Sequence, residues 1–185
     1  MTLAIGWRDT NGDIYLAADR CVLTEEHGKL EDGKIFKIKN LTIAFAGDVI
    51  VEHALRHSFL NCESIPEVSA ERLCEYWYST VRPYIEKACP DESYQVIVTD
   101  GKELFVSMDG LLRREQRNFV AIGEAAWFAY GFSMGVAACG QQVSDTLRIH
   151  GLFISASVRF PSVSLNFDKV AVAPFKPKKR KRKAK

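Results

Sequence analysis

An opening β-hairpin limits what the rest of this chain can become. The runs 2–8 (TLAIGWR) and 13–19 (DIYLAAD) are short and β-prone, and Asp9-Thr10-Asn11-Gly12 between them is a turn signal. Cys21 to Gly33 is polar and reads as a loop. KIFKIK (34–39) alternates apolar and basic residues, the pattern of a half-buried strand, and Asn40 turns it into the apolar run LTIAFAG (41–47). Asp48 can cap a helix to about Cys62, and Pro66 and Ser69 precede a second to about Ala88, with Leu73, Trp77, Val81 and Ile85 at helical spacing. Strands are expected at 93–99, 103–107 and 117–122, joined by the Asp100-Gly101 and Asp109-Gly110 turns. An Ala- and Gly-rich helix is expected over 124–138, another over Gln141–Ile149, and closing strands near 152–158 and 162–172. This order suits an α+β protein with two antiparallel sheets packed face to face and helices outside each.

The 185 residues, 47% hydrophobic and 26% charged, are enough for one well-formed core and few for two domains. No apolar run approaches a membrane span, and Asp9, Asp13 and Asp19 are out of keeping with a signal peptide, so no membrane role is expected. Five widely spaced cysteines (Cys21, Cys62, Cys74, Cys89, Cys139) form no CxxC and read as reduced thiols of a cytoplasmic chain. The net charge of +2 hides an asymmetry. Lys176–Lys185 holds 8 of the 25 bases and no acid, which leaves 17 bases against 23 acids and a body of net charge −6. The expected division is a domain over 1–173 and a disordered basic tail over 174–185. The tail suits attachment to nucleic acid or another acidic surface, nuclear targeting in a eukaryotic host, or solubility.

Thr2 is the residue with most chemistry in it. If Met1 is removed, one residue carries a hydroxyl and a free α-amino group. A hydroxyl is a weak nucleophile until a base takes its proton, and an adjacent amine with a pKa of roughly 8 can be that base.

The downstream pattern gives Thr2 its weight. Thr2-Leu3-Ala4-Ile5, Leu16-Ala17-Ala18-Asp19-Arg20, Asp32-Gly33-Lys34-Ile35-Phe36-Lys37-Ile38, Ala44-Phe45-Ala46-Gly47-Asp48 and Ala121-Ile122-Gly123 follow one another in order. Over about residues 2–167 the chain resembles the proteasome β-type subunits, and especially HslV-like peptidases and their phage or viral relatives. The resemblance implies an N-terminal-nucleophile hydrolase with a four-layer αββα sandwich. It implies Thr2 as nucleophile, Lys34 as the lysine whose ammonium favours the alkoxide, and Asp19 as the carboxylate that orients that lysine. Gly47 would give a backbone N–H to the oxyanion hole. It further implies a closed ring, an AAA+ unfoldase as partner, and protein or peptide substrates. No cofactor is required, but a monovalent cation such as sodium is implied on the carbonyls of Gly151, Ile154 and Ser157.

Two positions depart from the pattern. Glu124 stands where the family commonly has a serine beside the nucleophile's amine, and a carboxylate there would raise the amine's pKa. A second carboxylate, expected before the final strands, has no match in His150-Gly151-Leu152. These departures keep two other readings open: a catalytically silent structural or assembly subunit, and an amidase acting on small molecules. His53 and His57 sit at metal-ligand spacing, but HALRH has no glutamate of the zinc-protease kind and reads as a surface helix. Gly131 and Gly135 permit close helix contact.

Overall fold

The computed structural model describes residues 2–24, 28–31, 33–60, 70–108, 110–138, 144–164 and 166–172. Strands β1 (Leu3–Arg8) and β2 (Ile14–Asp19) form the expected hairpin, with Asp9 Oδ1 accepting the N–H groups of Asn11 and Asp13 in the turn. They sit inside a four-stranded antiparallel sheet of order β10-β1-β2-β11, where β10 is Phe119–Gly123 and β11 Phe167–Val172. The second sheet has five antiparallel strands in chain order: β5 (Ile35–Ile38), β6 (Leu41–Gly47), β7 (Tyr94–Thr99), β8 (Leu104–Met108) and β9 (Leu111–Arg114).

The buried side chains divide into three slabs, as a four-layer sandwich requires. Ala4, Leu16 and Ile122 of the first sheet meet Ala44, Ile97 and Leu104 of the second in the middle slab. On the second sheet's outer face lie α1 (Val49–Leu60) and a helical stretch made of α2 (Ala70–Tyr76), a π turn (Trp77–Val81) and α3 (Arg82–Ala88). Leu55, Phe59, Trp77 and Ile85 bury themselves there against Phe45, Val98 and Phe105. Each such fully buried side chain contributes about 1.5–3 kcal/mol of transfer free energy. Outside the first sheet, α4 (Ala126–Ala138) and α5 (Asp145–Arg159) pack Ala129, Leu152 and Phe153 onto Leu3, Ile5 and Trp7. The αββα layering expected of the chain is the observed one.

The π turn has a local cause. Pro83 has no N–H for the helical ladder, and the turn before it widens so that Arg82 N–H reaches back to the Trp77 carbonyl.

Three expectations need correction. Residues 21–33 are not simply a loop, since β3 (Cys21–Thr24) and β4 (Gly28–Glu31) pair as a small hairpin. Strand β9 was not expected at all. The run 152–158 is the larger error: LFISASV alternates like a strand but continues α5. Its buried residues Ile149, Leu152, Phe153 and Ala156 follow the helical period, while Ile154 and Val158 are exposed. Packing on the first sheet overrides the β-propensity of Ile154 and Val158. Ser144 caps this helix by accepting from Leu147 N–H at 3.4 Å. The connection into the last strand is therefore 160–166, not 150–152. Cys62, Cys139 and the basic run from Lys176 lie outside the described residues.

Candidate active site

Four polar or glycine positions singled out by sequence converge because each lies at a strand end on the same side of the sandwich. Thr2 leads into β1, Asp19 ends β2, Lys34 leads into β5 and Gly47 ends β6. The register fixes this: Ala4 pairs with Ala18, Leu3 with Gly123, and Gly47 with Tyr94. The backbone of Lys34 is tied to the second sheet by Phe45 N–H donating to its carbonyl at 3.0 Å.

Three of these groups form one buried polar unit. Thr2, Asp19 and Lys34 are 2%, 0% and 6% exposed. Lys34 Nζ lies 3.4 Å from both carboxylate oxygens of Asp19 and donates to Thr2 Oγ1. Asp19 also accepts the N–H of Leu3 at 2.8 Å and that of Ser164 at 3.4 Å. A buried carboxylate without such donors would cost several kcal/mol to desolvate. Here two backbone donors and an ammonium meet it.

Gly123 is required by space. Its φ is +92°, and a Cβ there would fall 1.8 Å from the Thr2 carbonyl oxygen. Gly47 is similarly tight, since a Cβ would approach Phe45 to 2.9 Å and Tyr94 to 3.0 Å. Both glycines, with Thr2 and Glu124, line an open cleft of about 450 Å³. Glu124 lines this cleft together with Thr2, and its carboxylate takes a hydrogen bond from Ser162 Oγ.

Ser162 and Ser164 were missed by sequence reasoning. Both lie in the 160–166 connection, which the mistaken strand at 152–158 had displaced. Pro161, just past the end of α5 at Arg159, was the available stop signal. The connection, Phe160-Pro161-Ser162-Val163-Ser164-Leu165-Asn166, contains no carboxylate, so the second carboxylate of the resemblance has no counterpart there either. Gln95 was also missed; its Oε1 accepts Gly123 N–H at 2.7 Å and fixes the turn beside Thr2.

Tyr94 forms part of the same cleft. Its hydroxyl oxygen is buried with no partner among the described residues. Burial, reinforced by the negative charge of Glu86 and opposed by Arg82, pushes the phenol up to about 12.

The implied cation site does not fit. Gly151, Ile154 and Ser157 all fall inside α5 rather than in a loop. Carbonyls on one helical face run parallel to the axis and are engaged by the ladder, and Ile154 O also accepts Ser157 Oγ at 2.8 Å. They do not converge on a point. Among the described residues, no group of three or more His, Cys, Asp or Glu could hold a metal ion. His57 instead stacks on Tyr84, with ring centroids 6.2 Å apart. Among the described residues no helix is long and apolar enough to cross a membrane.

Solved structures share this arrangement of layers. BPH of Thiobacillus denitrificans, in complex with epoxomicin, superposes with a TM-score of 0.73 at 17% identity, over 94% of this chain and 100% of that one. HslV from Trypanosoma brucei gives a TM-score of 0.69 at 18% identity, over 91% of this chain and 98% of that one. The fold is that of the HslV-like N-terminal-nucleophile hydrolases. The Anbu complex of Pseudomonas aeruginosa, solved as a helical assembly, also carries this fold, with a TM-score of 0.68 at 11% identity over 91% of this chain and 80% of that one. No protein-family model matches the sequence, and no curated protein does.

Within an HslV-like fold the geometry defines what the site can do. A charged Lys34 that donates to Thr2 Oγ1 favours the ionised hydroxyl but cannot accept its proton. A general base would have to come from elsewhere, and the group covalently nearest would be the amino group that Thr2 gains if Met1 is removed.

Proposed function

We propose that this chain is a threonine-type endopeptidase subunit that works with Thr2 as nucleophile once Met1 has been removed. The observation that carries the reading is the buried contact of Lys34 Nζ with Thr2 Oγ1, backed by the Lys34–Asp19 ion pair. The freed α-amino group takes the hydroxyl proton as Oγ1 attacks a peptide carbonyl. The oxyanion that forms is met by the Gly47 N–H, and one such donor is worth about 3–4 kcal/mol in other hydrolases. The proton passes to the leaving amine as the C–N bond breaks, and water then hydrolyses the ester on Oγ1, returning the hydroxyl.

The subunit would act in a self-compartmentalised ring fed by an AAA+ unfoldase, since an isolated subunit would cut indiscriminately. Support comes from the HslV and Anbu neighbours and from large apolar side chains on α4, where Trp127 is 87% and Met134 72% exposed. Closed symmetry is the usual outcome of head-to-tail contacts between such surfaces. The basic tail would attach the particle to nucleic acid independently of the cleft. The chain runs along β11 from Phe167 opposite Asp19 to Val172 opposite Ile14, away from Thr2.

Glu124 favours a second reading, a catalytically silent subunit. A carboxylate beside the amine would hold it protonated and weaken it as a base. The hydrogen bond from Ser162 spreads the charge of Glu124 and draws it toward the 160–166 connection, which is why the peptidase is preferred here. The intact mass of purified, peptide-cleaving protein tests the reading: the expected chain begins at Thr2. An active preparation that retains Met1 on every chain would overturn it, because a blocked amine cannot be the base.

A further inference from the structure

The cleft beside Thr2 is charged on one side of the scale only. Glu86 on α3, Glu92 ahead of β7 and Glu124 after β10 line it, and among the described residues no lysine, arginine or histidine does. The three carboxylates are not equivalent. Glu86 is matched from behind by Arg82, whose Nε lies 2.6 Å from its carboxylate. Glu124 is bound by a hydroxyl, Ser162 Oγ, which spreads its charge but does not neutralise it, and it has no ion pair among the described residues. Glu92 has no ion pair among the described residues. Lys34 does not offset them, because its charge is taken up by Asp19 within the buried unit. A freed Thr2 amine would balance at most one of the two remaining charges.

The walls between these carboxylates suit a long side chain with a cationic end. Tyr94 and Pro90 present apolar surface, and the phenol of Tyr94, pushed up to about 12, stays neutral. Lysine and arginine bury an aliphatic stem on such a surface while the charged end reaches a carboxylate. An acidic side chain in the same place would face like charge across a cleft whose low-dielectric walls focus the field.

We infer that the cleft selects polypeptide segments carrying lysine or arginine close to the scissile bond and discriminates against acidic ones, with Glu92 as a specificity-determining residue. This rests on the peptidase reading for turnover, but binding tests it separately. Peptides that differ at one position, with Arg, Gln or Glu beside the cleaved bond, are compared in kcat/KM and, with the inert Thr2→Ala protein, in Kd. The Arg peptide should exceed the Gln peptide by about tenfold at low salt, with the Glu peptide below both. Glu92→Gln should narrow the ratio between the Arg and Gln peptides, and Glu92→Lys should abolish it. Glu75→Gln, exposed on α2 outside the cleft, should change nothing and so separates the cleft from the general acidity of the body. Turnover with equal kcat/KM for the three peptides would overturn the inference and leave the peptidase standing. Absence of turnover would remove the peptidase, and the Kd series would then decide: equal affinities, or a preference untouched by Glu92→Lys, would overturn the inference.

Discussion

Removing the ammonium of Lys34 should cost the protein stability as well as activity. Lys34 and Asp19 are 6% and 0% exposed, so the ion pair between them lies away from water. Breaking a buried pair by deleting one partner typically costs about 3–5 kcal/mol, because the other charge is left behind. In Lys34→Met, Asp19 still accepts from Leu3 N–H at 2.8 Å and from Ser164 N–H at 3.4 Å. These donors place the expected loss at the lower end, about 3 kcal/mol, which the fold can bear against a total of about 5–15 kcal/mol. Lys34→Met/Asp19→Asn removes both charges and leaves an amide that can accept from Leu3. It should be more stable than the sum of the single variants implies, by about 2 kcal/mol. Urea unfolding at fixed protein concentration reads this as midpoints at unchanged slope. A Lys34→Met midpoint equal to wild type would refute the buried pair. Strict additivity in the double variant would refute the coupling of the two charges.

Gly123→Ala should be severely destabilising and inactive, since its Cβ would fall 1.8 Å from the Thr2 carbonyl oxygen at a φ of +92°; a thermal midpoint and activity equal to wild type would contradict the packing of β10 on β1. Ultraviolet titration should show one tyrosine, lost in Tyr94→Phe, that ionises only near pH 12 in the folded protein. Because its folded pKa is raised, the stability it contributes is complete below about pH 10 and is lost as pH rises through the window to about 12, so Tyr94→Phe should flatten the alkaline decline. Deleting Lys176–Lys185 should abolish nucleic-acid binding and leave peptidase activity unchanged. Before deletion, the salt dependence of binding duplex DNA should not exceed a log–log slope of roughly −7 per subunit, and unchanged affinity after it would sink the tether.

Much of the site was legible because it is written in short strand-end segments. Thr2, Asp19, Lys34 and Gly47 each stand where an apolar run begins or stops, and antiparallel pairing of those runs carries them to one edge. The cost of Lys34 was less legible. Sequence shows a basic residue ahead of an alternating strand, which suggests a solvated position, whereas burial against Asp19 depends on β2 and β5 lying in different sheets. The 160–166 connection was hidden for another reason. LFISASV satisfies a period of two by eye, and only the first sheet's outer face, which buries Leu152, Phe153 and Ala156, selects the helical period. That single misreading displaced the loop, concealed Ser162 and Ser164, and put the implied cation ligands into a helix. The acidity of the cleft was illegible for a simpler cause: Glu86, Glu92 and Glu124 come from separate elements and meet only in three dimensions.

The most direct test of the account is a comparison of peptide hydrolysis by wild type and Thr2→Ala, both purified as assembled protein and matched in fold by circular dichroism. The account predicts turnover by wild type and none above background by Thr2→Ala. The threonine hydroxyl would be the attacking atom, and neither Lys34 nor Glu124 can replace it. Equal turnover by the two proteins would contradict the central claim.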